Sequence, residues 1–255
     1  MMPLIDSPRL TQPDRQAWSR LERYDQALAD QLPLDSMAER AKNIIHEFAE
    51  AGACYVSTSW GKDSTVVAHL AATSGMRLPL VWVRVEKWEN PDCLAVRDAF
   101  LAQYGDVVDY HEYEVEATAP RWWEDNADTA PASQRTSRGG FTLAEKDFGS
   151  RHISGIRAEE SRVRAIAQAR WGDSSKSACR PIGRWTAVDV FAYLALHDLP
   201  VHPAYAMSVG GHLDRRWLRV SSLGGVRGAD RGRADWEQMY YPDVVGGGVN
   251  TKQSL

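Results

Sequence analysis

The residues with the clearest chemical content lie in one short segment, Ser57-Thr58-Ser59-Trp60-Gly61-Lys62-Asp63-Ser64-Thr65. Small hydroxyl side chains, a glycine and a lysine occur there between a predicted strand and a predicted helix. Such a segment exposes backbone N–H groups at a helix N-terminus, where unpaired donors and the helix dipole favour an anion. The segment therefore predicts a phosphate-binding loop.

Three familiar loop types do not fit this segment. The Walker A spacing fails, and Asp63 follows the lysine where a serine or threonine belongs. The dinucleotide-binding pattern G-x-G-x-x-G does not occur in the chain. The hydrolase pattern G-x-S-x-G fails because Ser57 stands where its first glycine belongs. The loop must therefore be interpreted from its own residues.

The elements around the loop alternate between strands and helices. We predict strands at 53–57, 78–85, 107–115 and 151–156, and helices at 63–73, 91–104 and 159–171. Nearly continuous apolar strands in this alternation are typical of an α/β fold, with a doubly wound, mostly parallel sheet covered by helices on both faces. Thr186 predicts the N-cap of a further helix that ends near His197.

The regions outside this alternation have their own patterns. Residues 14–31 and 36–50 show helical apolar stripes, whereas residues 117–150 are rich in polar and turn-forming residues and predict a long loop. We therefore divide the chain into N-terminal helices packed on the core (1–50), an α/β core that contains the predicted phosphate-binding loop (51–205) and an irregular Arg- and Gly-rich segment (206–255). That last segment either belongs to the same domain or is an extension that contacts a second substrate, the acceptor of a transferred group.

Charge is distributed unevenly along the 255 residues. The chain has 30 Lys and Arg against 34 Asp and Glu, a net charge of -4, yet residues 214–233 contain six Arg against two Asp. An arginine-rich segment in an acidic protein favours a phosphorylated ligand, although a solvated surface remains the alternative.

Composition also excludes several classes. No apolar run reaches the roughly 18 residues of a membrane helix, and the N-terminus lacks a secretory pattern, so we expect a cytoplasmic protein without a membrane partner. Cys54, Cys93 and Cys179 are single and far apart, which predicts neither an iron–sulfur cluster nor a zinc site. Whether Cys93 or Cys179 accepts sulfur stays open.

The loop also resembles a known family. Its S-x-G-x-D-S pattern is similar to the pyrophosphate-binding loop of the N-type ATP pyrophosphatases, and in particular to that of the phosphoadenosine phosphosulfate (PAPS) reductase family. Two later blocks support the resemblance, His152-Ile153-Ser154-Gly155-Ile156-Arg157-Ala158-Glu159-Glu160-Ser161 and Arg180-Pro181-Ile182-Gly183-Arg184-Trp185-Thr186. His202-Pro203-Ala204-Tyr205 extends it, so the likeness covers about residues 53–205.

The resemblance implies an adenine nucleotide α-hydrolase-like fold with ATP, or an adenosine phosphosulfate, at the C-terminal edge of the sheet. It implies these nucleotide-binding residues: Ser57, Ser59, Trp60, Gly61, Lys62, Asp63, Ser64, Gly155 and Arg157. Lys62, Asp63 and Arg157 are also the expected catalytic residues. Asp63 either holds Mg²⁺ or caps the helix, and Arg157 neutralises the α-phosphate, a role for which Arg162 and Arg164 are alternatives.

One departure from the family bears on function. Sulfonucleotide reductases of the family resemble this chain but carry a late Glu-Cys-Gly-[IL]-His motif, whose cysteine attacks sulfur, whereas the last cysteine here is Cys179. The leading hypothesis is an ATP pyrophosphatase that adenylates an acceptor oxygen ahead of sulfur transfer. A DNA backbone acceptor and a cysteine desulfurase as sulfur donor, as in DNA phosphorothioation, fit this hypothesis.

Two alternatives remain open. One is a PAPS or adenosine phosphosulfate reductase-type enzyme of sulfur assimilation, and the other is a non-catalytic nucleotide- or DNA-binding accessory protein. Trp88, Trp122 and Trp123 either stack on a base or serve packing, and the sequence leaves open whether the chain forms a homo-oligomer.

Overall fold

The sheet consists of five parallel strands, β1 (Tyr55–Thr58), β2 (Pro79–Val85), β3 (Asp109–Val115), β4 (His152–Ile153) and β5 (Ala178–Cys179). Their spatial order is β3-β2-β1-β4-β5. The computed structural model describes residues 3–86, 88–115, 138–209, 212–223 and 233–245, with the backbone alone for 138–140. The predicted parallel α/β fold is confirmed.

Nine α-helices occur in the described part of the chain. They are α1 (Gln12–Ala29), α2 (Leu34–Glu50), α3 (Lys62–Ala72), α4 (Asp92–Tyr104), α5 (Arg138–Phe148), α6 (Arg162–Trp171), α7 (Ala187–Leu196), α8 (Arg233–Tyr240) and α9 (Pro242–Val245). Thr186 caps α7 as predicted, in a capping box with Asp189. None of these described helices has the length and apolar character needed to cross a bilayer.

Strand β2 shows why both faces of the sheet are covered. Leu80 and Trp82 are buried in a large core on one face, while Val81 and Val83 are buried in a smaller core on the other. Successive side chains of a strand point to opposite faces, so a strand buried on both sides must be apolar throughout. On the large-core face α3 contacts β1 and α7, and α1 packs on α7 as an outer layer.

Helix α5 covers the smaller core and corrects one expectation. The loop predicted over 117–150 is wrong for residues 138–148, which form α5 and contact β2 and β3. Ala144 is buried there, and Phe141 and Phe148 pack beside it. Their spacing of three and four residues is the apolar stripe of a helix. Residues 116–137, with Trp122 and Trp123, lie outside the described residues.

The chain after β4 passes directly against the first turn of α3. A Cβ atom placed on Gly155 would lie 2.7 Å from the carbonyl carbon of Asp63 and 2.9 Å from the amide nitrogen of Ser64. The predicted strand 151–156 is correspondingly short, since β4 contains His152 and Ile153 alone. A glycine at position 155 is therefore required to bring the two segments together.

A segment near the C-terminus returns to the same edge of the sheet. Arg215 donates to the Oδ1 atom of buried Asp25 at 2.6 Å, and its guanidinium lies 3.8 Å from the ring centroid of Phe191. Further along, the Asn90 side chain donates to the carbonyl oxygen of Val220 at 3.0 Å. Residues 215–220 are thus fixed by α1 and α7 at one end and by the segment after β2 at the other.

Replacing Gly155 with alanine should destabilise the fold. The new methyl group would overlap the backbone of α3, and relieving such an overlap costs about 1–3 kcal/mol of unfolding free energy. Thermal and urea denaturation of Gly155→Ala should show this loss. Ser154→Ala is the matched control, because the Ser154 hydroxyl is buried without a partner among the described residues. A Gly155→Ala protein as stable as the control would contradict the close contact.

Glu89 should give the fold a measurable pH dependence. The side chain is 9% exposed, and burial raises its pKa from 4.5 to about 7. Between these values the folded protein keeps a proton that the unfolded chain has lost, so stability falls as pH rises through this window. Glu89→Gln should reduce the fall in unfolding free energy across this pH window by up to about 3 kcal/mol. Urea denaturation from pH 4.5 to 8 would measure the unfolding free energy of the wild type, Glu89→Gln and the control Glu145→Gln, whose side chain is exposed. An equal dependence of unfolding free energy on pH in all three proteins would contradict the raised pKa of Glu89.

Candidate functional site

The candidate site lies where the strand order of the sheet reverses. β1 and β4 are neighbours, but the chain leaves β1 towards β2 and leaves β4 towards β5, on the opposite side. In open parallel sheets, ligands bind in the crevice beyond the carboxyl ends of such a strand pair. Residues 59–61 follow β1 there, and residues 154–157 follow β4. Ser57 lies inside β1, so the loop itself begins at Ser59.

Hydrogen bonds within the loop fix its shape. The amide of Ser59 donates to the Ser64 hydroxyl at 3.1 Å, and that hydroxyl donates to the carbonyl oxygen of Gly61 at 3.0 Å. The amide of Trp60 donates to the Thr58 hydroxyl at 3.2 Å. Ser64 is an expected nucleotide-binding residue, but its hydroxyl proton is used inside the loop.

Other amides of the same turn remain available. Gly61 is the N-cap of α3 and provides no capping side chain. Within the described residues, the amides of Gly61, Asp63 and Ser64 have no hydrogen-bond acceptor. They lie at the positive end of the helix dipole, which is the arrangement that binds phosphate at helix N-termini.

Tyr205 is a residue of this site to which the sequence analysis gave no role. Its hydroxyl accepts the Lys62 amide at 2.9 Å, and it lies 3.1 Å from the place of a Cβ atom on Gly61. The Cγ2 atom of Val220 is equally close to that place. Burial raises the pKa of Tyr205 well above its usual value, so the hydroxyl stays protonated. The signal available in the sequence was the hydroxyl that ends the block at 202–205.

Trp60 anchors the loop instead of lining it. Its indole is fully buried and packs against Trp82, Phe100 and Tyr110, with ring centroids 5.4–6.3 Å apart. The backbone turns there with a φ of 55°, which directs the side chain into the large core. Because the indole is enclosed by aromatic neighbours, only the backbone of Trp60 is left for the predicted nucleotide contact, which stays a prediction.

The expected catalytic residues meet in one ion-pair network. Asp63 Oδ2 lies 2.6 Å from Lys62 Nζ, and Asp63 Oδ1 lies 2.6 Å from Arg157 Nε. Arg157 Nη1 also donates to Glu159 at 2.6 Å and to the carbonyl oxygen of Trp185 at 3.2 Å. Burial opposes the charge of Arg157, but Asp63 and Glu159 outweigh burial and raise its pKa. The network joins the loop after β1 to the segment after β4.

One donor of this network is unused. Arg157 Nη2 is buried and has no partner in the described part of the chain. Buried donors are nearly always paired, so this nitrogen points to an acceptor brought by a ligand, such as a phosphate oxygen. Two other arginines were alternatives to Arg157 for neutralising the α-phosphate. Arg164 is paired with Glu160, and Arg162 is exposed. The geometry favours Arg157 over both.

Asp63 lies between two cations and does not cap its helix. Its side chain makes no capping bond to α3, which corrects the capping alternative. Both of its oxygens already accept from cations, and no three potential metal-ligating side chains are grouped among the described residues. These contacts make Asp63 a carboxylate that positions Lys62 and Arg157. Its role toward Mg²⁺ stays a prediction, because Mg²⁺ at nucleotide sites is usually bound by one or two carboxylates together with substrate phosphates.

The cysteines are not activated as nucleophiles. Cys54, Cys93 and Cys179 are all buried free thiols. Burial raises the pKa of Cys54, raises that of Cys93 well above its usual value, and raises that of Cys179 to about 12. Because the thiolate is the reactive form, these environments oppose a sulfur-accepting role for Cys93 and Cys179.

Comparisons with known proteins agree on the family. The family model described as phosphoadenosine phosphosulfate reductase domain matches residues 53–227. The phosphoadenosine 5'-phosphosulfate reductase of Xanthomonas axonopodis pv. citri (strain 306) is 29% identical over 175 residues, which are 64% of this chain and 71% of that protein. The enzyme of the same name from Synechococcus sp. is 28% identical over 181 residues, 66% of this chain and 77% of that protein.

A solved structure, NMN synthetase from Francisella tularensis, is similar with a TM-score of 0.48 and 8% identity, over 88% of this chain and 99% of that chain.

The family match spans more than half of the chain and includes both segments that form the site. The chain therefore belongs to the phosphoadenosine phosphosulfate reductase family.

Proposed function

We propose that this chain is an ATP pyrophosphatase of the cytoplasm that adenylates an acceptor oxygen ahead of sulfur transfer. The proposed acceptor is the DNA backbone, as in DNA phosphorothioation, and the proposed sulfur donor is a separate cysteine desulfurase. The observation that carries the proposal is that the amides of Gly61, Asp63 and Ser64 have no acceptor among the described residues, at the point where the strand order reverses.

The proposed reaction is a substitution at the α-phosphorus of ATP. The acceptor oxygen forms a bond to that phosphorus, the bridging bond to the β-phosphate breaks, and diphosphate leaves with the electron pair. The loop amides would bind the departing diphosphate, and Arg157 Nη2 would neutralise charge at the α-phosphate. Such transfers depend on positioning and charge neutralisation more than on covalent catalysis.

Asp63 supports this chemistry through its two neighbours. Lys62 is only 4% exposed, and without the carboxylate its ammonium group would be a buried, uncompensated charge beside Arg157. The carboxylate keeps both cations at the loop before any ligand arrives. Preorganised charge of this kind lowers a barrier because no rearrangement is needed during the reaction.

The curated relatives favour a second candidate, a sulfonucleotide reductase, because they carry that name. That reaction needs a thiolate that attacks sulfur. The three cysteines of this sequence are buried with raised pKa values, which supports the pyrophosphatase instead. Release of sulfite from PAPS in the presence of a thiol donor would favour the reductase, and nucleotide binding without any turnover would favour an accessory protein.

Product analysis tests the proposed cleavage directly. Incubation with ATP in magnesium-containing buffer, with water as the attacking oxygen in place of the acceptor, should yield AMP and diphosphate in equal amounts. Lys62→Met and Asp63→Asn should lower the rate at least about 100-fold, because each removes charge that is preorganised for the transition state. Lys146→Ala, an exposed lysine on α5, is the matched control and should retain the wild-type rate.

Chromatography of the nucleotides and circular dichroism of each variant would complete this experiment. Circular dichroism separates a lost charge from a lost fold. ADP as the sole product of the wild-type protein would overturn the proposal.

Tyr205→Phe tests the positioning of the loop. The change removes the acceptor of the Lys62 amide while keeping the ring, so kcat/KM for ATP should fall about tenfold, the value of one hydrogen bond. Tyr193→Phe is the matched control, since its hydroxyl pairs with His69 at 2.9 Å in the core. We expect the control to lose stability without a comparable loss of kcat/KM. Equal kinetic losses in both variants would argue against a specific role of Tyr205.

A further inference from the structure

Residues 214–223 lie beside the phosphate loop, with Val220 against Gly61. We call this segment the C-terminal wall. Two of its arginines have acidic partners. Arg215 is paired with buried Asp25, and Arg216 is paired with Asp214. Arg219 has no acidic partner among the residues that the structure describes, although it is exposed on the surface. Within this wall Arg219 carries the uncompensated charge.

Val220, the next residue in the chain, places the backbone of Arg219 close to the phosphate loop. The Cγ2 atom of Val220 lies 3.1 Å from the place of a Cβ atom on Gly61, and Asn90 holds the carbonyl oxygen of Val220. Arg219 is therefore one residue from direct contact with the proposed phosphate loop. The Asp25–Arg215 pair fixes the other end of the wall.

Arg219 lies among other charged side chains. Arg164 and Arg233 act on it electrostatically, and their own acidic partners are Glu160 and Glu237. Partial desolvation, followed by repulsion from Arg164 and Arg233, lowers the pKa of Arg219, and attraction by Glu160 offsets only part of this effect. An anion bound there would relieve this repulsion, and guanidinium groups bind phosphate oxygens well.

We propose that Arg219 binds a phosphodiester group of the acceptor and so places the acceptor beside the nucleotide. This proposal rests on the proposed function. The loop amides, Lys62 and Arg157 already provide donors for the triphosphate. Arg219 is instead exposed at the edge of the loop, where a second substrate arrives from solvent. The residue thereby gives the acceptor its own binding site, separate from that of ATP.

Binding of a short fluorescent DNA duplex, measured without ATP over a range of salt concentrations, tests this site. Arg219→Gln should weaken binding and reduce the slope of log K against log salt by about 0.9, the value for one lost phosphate contact on B-DNA. Arg219→Lys should restore much of the slope. Arg216→Gln is the matched control and should keep the wild-type slope, because Asp214 already neutralises Arg216.

The dissociation constant of ATP, measured by calorimetry on the same proteins, completes the test. We expect less than a twofold change in Arg219→Gln. A larger loss of ATP affinity than of DNA affinity would overturn the proposal by placing Arg219 in the nucleotide site. Equal slopes for Arg219→Gln and Arg216→Gln, or no duplex binding by the wild-type protein at low salt, would overturn it as well. Because duplex binding is measured without turnover, failure of ATP cleavage would be recognised separately.

Discussion

The carboxylate of Asp63 is the contact on which the site depends. It joins Lys62 from the loop after β1 to Arg157 from the segment after β4, at 2.6 Å on each side. Both cations are almost completely enclosed by protein. Two buried positive charges that contact the same carboxyl group would repel each other strongly without its negative charge between them. The ion pairs therefore hold together two segments that the sheet places side by side.

The fold makes this contact possible through close backbone packing. Gly155 lets the chain after β4 touch the first turn of α3, and Gly61 leaves space for Tyr205 and Val220. The buried indole of Trp60 ties the loop to the aromatic side of the large core. Amides at the start of α3 are thereby held in fixed directions, and those of Gly61, Asp63 and Ser64 meet no acceptor in the described part of the chain. A rigid loop with open donors can bind an anion without first losing its own flexibility.

Local patterns in the sequence were sufficient for β1 to β4, the position of the loop and the cap of α7, because each depends on neighbouring residues. Strand β5, with only two residues, was not predicted. Contacts between distant residues were not accessible in this way. Arg157 meets Asp63 across 94 positions, and Tyr205 meets Lys62 across 143. The role of Asp63 as a bridge between cations follows from these contacts, so type and spacing alone suggested a metal or a cap. In α5 the stripe of Phe141, Ala144 and Phe148 was present but obscured by the polar residues before it.

The Asp25–Arg215 pair has a consequence for how the protein is divided. Asp25 belongs to α1, which precedes the region shared with the reductase family, whereas Arg215 lies inside that region. A fragment cut at the family boundary would contain every residue of the loop yet would leave Arg215 without its counter-charge. The region that matches the family is thus smaller than the part of the chain that these contacts hold together. Helix α1 therefore stabilises residues 214–223 from outside the matched region, and removing it would loosen the segment that packs on the phosphate loop.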